Sequence, residues 1–486
     1  MDSLVVRVRP GETRIARVDT DGRLKDFAVY REQRSGLVGD VFLGRVKKVV
    51  PNLEAAFIDI GGERDGFLGL AEARPQPHMG GEAPRDRISD YVHEGQAVMV
   101  QVVAAARDDK GAKLTRRVNV TGAFLVLTPG DPGIRVSKRI GDETERSRLR
   151  TVLSGALSGQ EGCVIRSGAK GARDKAVAGE LSMLRARWAE LESKAANALP
   201  PLIISADVPP VLQYLTENGH GGVSKIIVDD AVVAQTLEQD LSHLGAMPSG
   251  GVECATSHLD IFDVAAIADD VAMLITPHVV LPGGGSLMIE ETTAITTIDV
   301  NVGAARSKQG GRGPADMALA TNIEAMREIA RQIRLRNLAG LIVIDYVGMK
   351  GKDGPGRVVT TLKEALVGDP AGPQVLGTTR GGLLEVTRPR RRPPLSHILT
   401  SPCPSCPSGR VEAPLSVGYR ALEQVLADVW ASPSLIPVLS APMAVVKALR
   451  TDGLAALARM ETKLGQPLEM RTDDCLDFDQ FRIDPE

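Results

Sequence analysis

The sequence predicts a multidomain α/β protein with an all-β barrel inserted near its N-terminus. Three observations predict it: the chain length, a cluster of short β-type segments before residue 120, and alternating strand and helix patterns after residue 200. At 486 residues the chain is too long for one core, and domain sizes give roughly three or four modules. Apolar residues are 43% and charged residues 24% of it, which excludes collagen-like, coiled-coil and broadly disordered chains. Gly (50) and Pro (30) make up about a sixth of the chain while aromatics are 3%, so turns are many and elements short.

The barrel is expected from Val41-Phe-Leu-Gly-Arg-Val, Ala56-Phe-Ile-Asp-Ile, Gly66-Phe-Leu-Gly-Leu and Ala97-Val-Met-Val-Gln-Val-Val, four β-type runs separated by turn residues. Residues 74–84, rich in Pro, Gly and His, read as a loop within it. Leu181, Leu184, Trp188 and Leu191 share one helical face over 172–198, and Pro200-Pro201 ends that helix. Residues 202–260 alternate apolar runs with a helix over 232–244, an α/β pattern too small to stand alone, so pairing with the N-terminal strands is expected. Leu319, Ile323, Met326, Ala330 and Ile333 mark a long helix, followed by the strand Gly340-Leu-Ile-Val-Ile-Asp345. Residues 387–407 read as a linker or clasp, and Tyr419, Leu422, Val425, Leu426 and Val429 open a small α/β tail module.

Lys plus Arg number 58 against 61 Asp plus Glu, a net charge of -3, so any nucleic-acid binding must come from local basic patches. Cys163, Cys254, Cys403, Cys406 and Cys475 form an odd set with one close pair, unlike a secreted disulfide framework. No signal-peptide pattern opens the chain and no run approaches the ~18 apolar residues that span a bilayer. A soluble, cytoplasmic protein away from membranes is expected.

Five constellations carry possible chemistry. Thr297-Ile-Asp299-Val-Asn301 and Val343-Ile-Asp345-Tyr each end an apolar β run on an acid. Carboxylates at the ends of adjacent strands suit Mg²⁺ and phosphodiester hydrolysis, although strand-end acids equally often cap a strand or pair with Arg. Cys403-Pro-Ser-Cys406 offers two thiolates to Zn²⁺. The other ligands would come from a second chain or from His397 and a distant Cys, unless the pair is a redox dithiol or inert. Phe57, Arg64, Phe67 and Lys110 on the barrel suit single-stranded nucleic acid, with core packing the alternative for both Phe. Gly162-Cys-Val-Ile-Arg166-Ser167-Gly168 runs a strand into a Gly-rich turn, either a phosphate pocket or a plain turn with a solvated Arg. Arg388-Pro-Arg390-Arg391-Arg392 reads as a solvated face or a phosphate contact.

In this order the pieces resemble the ribonuclease E/G family of bacterial endoribonucleases over nearly the whole chain, and in particular the short ribonuclease G type, with no long scaffold tail for other enzymes. The resemblance rests on Pro51-Asn-Leu-Glu-Ala-Ala-Phe57-Ile-Asp-Ile-Gly with Gly66-Phe67-Leu, Thr297-Ile-Asp-Val-Asn301, Thr321-Asn-Ile-Glu-Ala, Arg327-Glu-Ile-Ala-Arg-Gln-Ile-Arg-Leu-Arg336, Leu341-Ile-Val-Ile-Asp345, Gly382-Leu-Leu-Glu-Val-Thr-Arg388 and Cys403-Pro-Ser-Cys406.

It implies an RNase H-like subdomain in two parts (1–35 and 213–278), an S1-type OB barrel (36–118), a 5′-sensor region (119–212), a DNase I-like catalytic subdomain (279–399), a zinc-link (400–414) and a small C-terminal domain (415–486). Asp299 and Asp345 would then hold a catalytic Mg²⁺, with Asn301 steadying a carboxylate or the scissile phosphate. Arg166 and Ser167 would sense a 5′-monophosphate, Gly122 and Val126 would meet the first base, and Phe57, Phe67 and Lys110 would guide the RNA. Cys403 and Cys406 of two protomers would share one Zn²⁺, giving a homodimer or homotetramer. The implied activity is cleavage of single-stranded RNA to a 3′-hydroxyl and a 5′-phosphate, in ribosomal RNA maturation or mRNA decay. Asp229 and Asp230 fall in the RNase H-like part and are structural by the same resemblance. The sequence departs from the family at Gly348, where a second acid is usual, at Ala304, where Arg is usual, and at Asp369-Pro-Ala-Gly-Pro373, usually basic. A non-catalytic RNA-binding or assembly factor is the alternative these departures raise.

Overall fold

The computed structural model describes residues 2–31, 38–62, 64–74, 86–104, 111–138, 140–157, 159, 161–204, 209–218, 222–243, 246–255, 259–292, 294–303, 314–349, 353–403, 409–432, 436–473 and 475–485. The chain divides into two compact units, one of residues 34–223 and 235–252, the other of 1–33, 224–234 and 253–486.

In the first unit, strands Val41–Val50, Ala55–Asp59, Gly66–Gly69, Lys113–Thr115 and Ala97–Ala104 pair in that order, and the last returns to the first. This closed five-stranded barrel is compatible with an S1 or OB-type domain. Its strands alternate as the sequence requires: Val46, Ile58, Leu68, Val100 and Leu114 fill the interior. Beyond it, Gly133–Val136, Glu161–Ile165, Leu125–Pro129 and Val120–Thr121 form a four-stranded sheet. Its apolar face buries Leu125, Leu127, Cys163 and Ile165 against Leu149 of helix Glu143–Ser154 and Leu181 and Leu184 of helix Asp174–Asn197. The other face of this sheet is left to Val126, Val164 and Arg135.

In the second unit, Asp2–Arg9, Glu12–Val18 and Leu24–Arg31 form an antiparallel meander, and Val223–Val228 lies beside Asp2–Arg9 as the sequence led us to expect. A six-stranded sheet follows in the order His278–Val280, Ser286–Glu291, Ile295–Asn301, Gly340–Asp345, Leu384–Arg388, Gln374–Thr378. Its one parallel pair joins Ile295–Asn301 to Gly340–Asp345 through helix Pro314–Leu335, the crossover that parallel neighbours need. Ile298, Val300, Ile342 and Ile344 pack beneath Met326, Ile329, Ala330 and Ile333 of that helix and Val358 and Leu362 of helix Asp353–Ala365. Each such large side chain contributes about 1.5–3 kcal/mol on burial, so this face of the sheet is fixed against the two helices. A ribbon of Thr400–Pro402 and Arg410–Glu412 leads to the tail module, where helix Pro414–Ala431 and two further helices pack on a three-stranded sheet. Among the described residues no helix is long and apolar enough to cross a membrane.

Candidate active site

With one face of the six-stranded sheet buried under helices, period-2 alternation sends the remaining side chains to the other. Asp299 and Asn301 are exposed there while Ile298 and Val300 are buried, and Asp345 is exposed at the end of its strand after the buried Ile344. The parallel register sets Asp299 opposite Asp345, on strands about 4.8 Å apart. Asn301 donates from Nδ2 to Asp299 Oδ2 at 2.7 Å, fixing that carboxylate. Among the described residues no ion pair joins either aspartate to a cation. Nor do three or more His, Cys, Asp or Glu side chains gather at any one point among the described residues. A hard cation here would have two carboxylates and complete its shell with water and substrate oxygens, a donor set that fits Mg²⁺.

The surroundings hold these strands in place. Asn322, fully buried on helix Pro314–Leu335, donates to the Val347 carbonyl at 2.8 Å and accepts the Val347 N–H at 3.0 Å, pinning the chain two residues past Asp345. Glu324, half a turn on, accepts the Gly283 N–H at 2.7 Å. Gly303 sits so near the Gly284 carbonyl that a Cβ would lie 1.4 Å from its oxygen, so only glycine fits there. Gly348 is exposed and a Cβ there would meet nothing, so packing does not require glycine at this position.

On the barrel, Phe57 and Phe67 are not core residues. They pair across adjacent strands with ring centroids 6.1 Å apart, edge to face, and Phe67 is 36% exposed. The register continues the row to exposed lysines on both sides, Lys48 opposite Phe57 and Lys113 opposite Phe67. Aromatic rings flanked by cations suit stacked bases and the phosphates between them. Arg64 is exposed, and Lys110 lies outside the described residues.

Arg166 follows strand Glu161–Ile165 and is half-buried, not a solvated turn residue. Its guanidinium donates to the carbonyls of Gly122 and of Thr216, the latter in the last turn of helix Pro210–Asn218, where carbonyls lack helical partners. Ser167 is exposed at the head of the turn Ser167–Ala169. Val126 stands opposite Val164, on the face that also carries Arg166. A cavity of about 420 Å³ on that side of the sheet is lined by Arg117, Val126, Asp131, Arg135 and Val164 among others; Arg166, Ser167 and Gly122 are not part of its lining. Buried Glu180 closes the loop from behind, accepting the N–H groups of Ala123, Phe124 and Leu125. Burial pushes its carboxyl upward, against the pull of those amides and of Arg166.

Other acids and bases are structurally engaged. Asp229 accepts the Val8 N–H and pairs with Arg9, and Asp230 caps helix Ala231–His243. The arginine run is not a solvated face at its start: Arg388 is buried, bonded to Asp369 at 2.9 Å and to Asn337 and Leu338. Arg392 stacks over Tyr30. Cys403 leaves the two-stranded ribbon with its N–H on the Gly409 carbonyl, and Cys406 lies outside the described residues.

Sequence reasoning missed Asn322, Glu180, Lys48 and Lys113. Glu180 had a signal: at three residues from Val177 and four from Leu184, it lies on the helix's apolar stripe.

The Ribonuclease E/G family model matches residues 119–391. The chain is 32% identical over 486 residues to Ribonuclease G of Escherichia coli strain K12, covering 99% of each chain. It is 31% identical over 490 residues to Ribonuclease G of Haemophilus influenzae, covering 99% of this chain and 98% of the relative. To Ribonuclease E of Synechocystis it is 31% identical over 441 residues, 89% of this chain and 64% of that one.

Proposed function

Because this chain belongs to the ribonuclease E/G family, we propose that it is a Mg²⁺-dependent endoribonuclease that cuts single-stranded RNA in ribosomal RNA maturation or mRNA decay. The observation that carries the reading is the register pairing of Asp299 with Asp345, with Asn301 bonded to the first. Asp299 and Asp345 would hold Mg²⁺, which would supply charge neutralisation at the scissile phosphate and a more acidic water. Asn301 keeps the Asp299 carboxylate turned to the open face. Asn322 holds the chain beyond Asp345. Water adds to phosphorus as the bond to the 3′-oxygen breaks, leaving a 5′-phosphate and a 3′-hydroxyl.

The row Lys48, Phe57, Phe67, Lys113 supports a path for the strand on the barrel, and Arg166 with Ser167, Gly122 and Val126 supports a pocket for a 5′-monophosphate end. Arg and turn donors suit the dianion, and the apolar Val126 suits a base. Cys403 and Cys406, each pair contributed by one of two protomers, would complete a tetrahedral Zn²⁺ site and join a homodimer or homotetramer. Asp299→Asn, which removes a charge but not volume, should abolish cleavage and leave RNA binding; unchanged cleavage would contradict the proposal.

A further inference from the structure

Glu180 takes no part in the chemistry above, yet it is 2% exposed and its carboxylate faces backbone donors. One oxygen accepts the Ala123 N–H at 2.6 Å, and the other accepts Phe124 at 2.8 Å and Leu125 at 2.7 Å. The carbonyls of the same loop face Arg166. The Gly122 carbonyl accepts from its guanidinium, and the Phe124 carbonyl accepts its backbone N–H at 2.8 Å.

These contacts share peptide planes. The Gly122 carbonyl and the Ala123 N–H belong to one rigid, planar peptide unit, and so do the Phe124 carbonyl and the Leu125 N–H. Each unit is held at its N–H end by Glu180 and presents its C=O end to Arg166, once to the side chain and once to the backbone. A carboxylate on an N–H also polarises the carbonyl across the plane, strengthening it as an acceptor. The fit leaves no slack: a Cβ at Gly122 would lie 2.6 Å from the Glu180 Cδ and 2.8 Å from each carboxylate oxygen.

We infer that Glu180 is the positioning residue of the 5′-end pocket, acting through the peptide units 122–123 and 124–125 to set the place and orientation of Arg166. The inference rests on the reading of Arg166 as the 5′-monophosphate contact. Glu180 acts through the loop; without it both peptide units lose their anchor at the N–H end, and the guanidinium, held otherwise by the Thr216 carbonyl, loses its fixed second acceptor. Glu180→Gln keeps the shape but aims an N–H₂ at an amide donor, so at least one of the bonds is lost.

The test uses the full chain and one single-stranded RNA made with either a 5′-monophosphate or a 5′-hydroxyl. The readout is the ratio of kcat/KM on the two, taken on one preparation so that a general loss of folded enzyme cancels. Glu180→Gln should lower the ratio about tenfold, the scale of one charge-assisted hydrogen bond, with the change in KM for the phosphorylated RNA. Glu180→Asp, which keeps the charge on a shorter arm, should fall between wild type and Gln, and its loss of ratio carries the test if the Gln variant does not fold. Arg166→Ala is the reference. A ratio lost in Arg166→Ala but kept at the wild-type value in the Glu180 variants overturns the positioning role alone. A ratio indifferent to all of them overturns the pocket, and this inference with it.

Discussion

Replacing Asn322 by alanine removes both hydrogen bonds that hold Val347, at 2.8 and 3.0 Å, from a side chain with 0% exposure. Each is worth about 1 kcal/mol net, so the loop after Asp345 loses roughly 2 kcal/mol against local opening. That corresponds to about a thirtyfold faster exchange of the Val347 amide hydrogen if it exchanges by local opening. Hydrogen exchange read by mass spectrometry on a peptide spanning residues 340–349 measures it directly. The strand Gly340–Asp345 is anchored on both edges and beneath, by the strands beside it and the two helices, so the rest of that peptide should exchange as in wild type. Cleavage should fall with the same variant, because a catalytic group displaced by an ångström can cost about 100-fold. Exchange at Val347 unchanged in Asn322→Ala would refute the reasoning, since it would mean that the two bonds carry no local stability.

Three further outcomes are expected. Lys113→Ala should weaken single-stranded RNA binding across sequences and make the slope of log K against log salt shallower by about 0.7, the value of one phosphate contact; an unchanged slope removes Lys113 from the path. Glu12 is 4% exposed between Arg14 and Arg31; burial opposes its ionisation, but the two guanidinium groups outweigh it and hold the carboxyl below its ordinary 4.5. Its stabilisation is therefore complete above the unfolded value and lost as pH falls through the folded one, so the thermal-stability gap between wild type and Glu12→Gln should narrow below about pH 4.5, and a gap constant with pH contradicts it. Cys403→Ser should release zinc and dissociate the assembly, as read by metal analysis and light scattering; unchanged mass and zinc content would refute the shared site.

Much of this arrangement is legible in the sequence. The apolar run before Asp345 places that acid at its strand end, the strand of Asp299 runs on two residues to Asn301, and alternation places both acids away from the core. Their pairing is not legible, because a long crossover helix separates the two strands and only the assembled sheet sets their register. Lys113 is hidden for the same reason: more than forty residues separate it from Phe67, and the parallel pairing of Gly66–Gly69 with Lys113–Thr115 brings them together. Arg388 looks like the first of a solvated arginine run. It is instead the last inward residue of Leu384–Arg388, after Leu384 and Val386, and Asp369 awaits it inside. The alternation was present in the sequence, but the charge run concealed it. Asp369 is the partner of a buried guanidinium, and removing one member of such a pair costs about 3–5 kcal/mol.

The most direct measurement incubates the purified protein and Asp345→Asn with a 5′-monophosphorylated, A/U-rich single-stranded RNA and Mg²⁺, and resolves the products on a gel. Cleavage by wild type to fragments with 5′-phosphate and 3′-hydroxyl ends, lost in Asp345→Asn, is the result the paired-carboxylate site predicts. RNA that is bound but left intact by the wild-type protein, across a range of Mg²⁺ and Mn²⁺, would contradict it and leave a binding protein built on a nuclease frame.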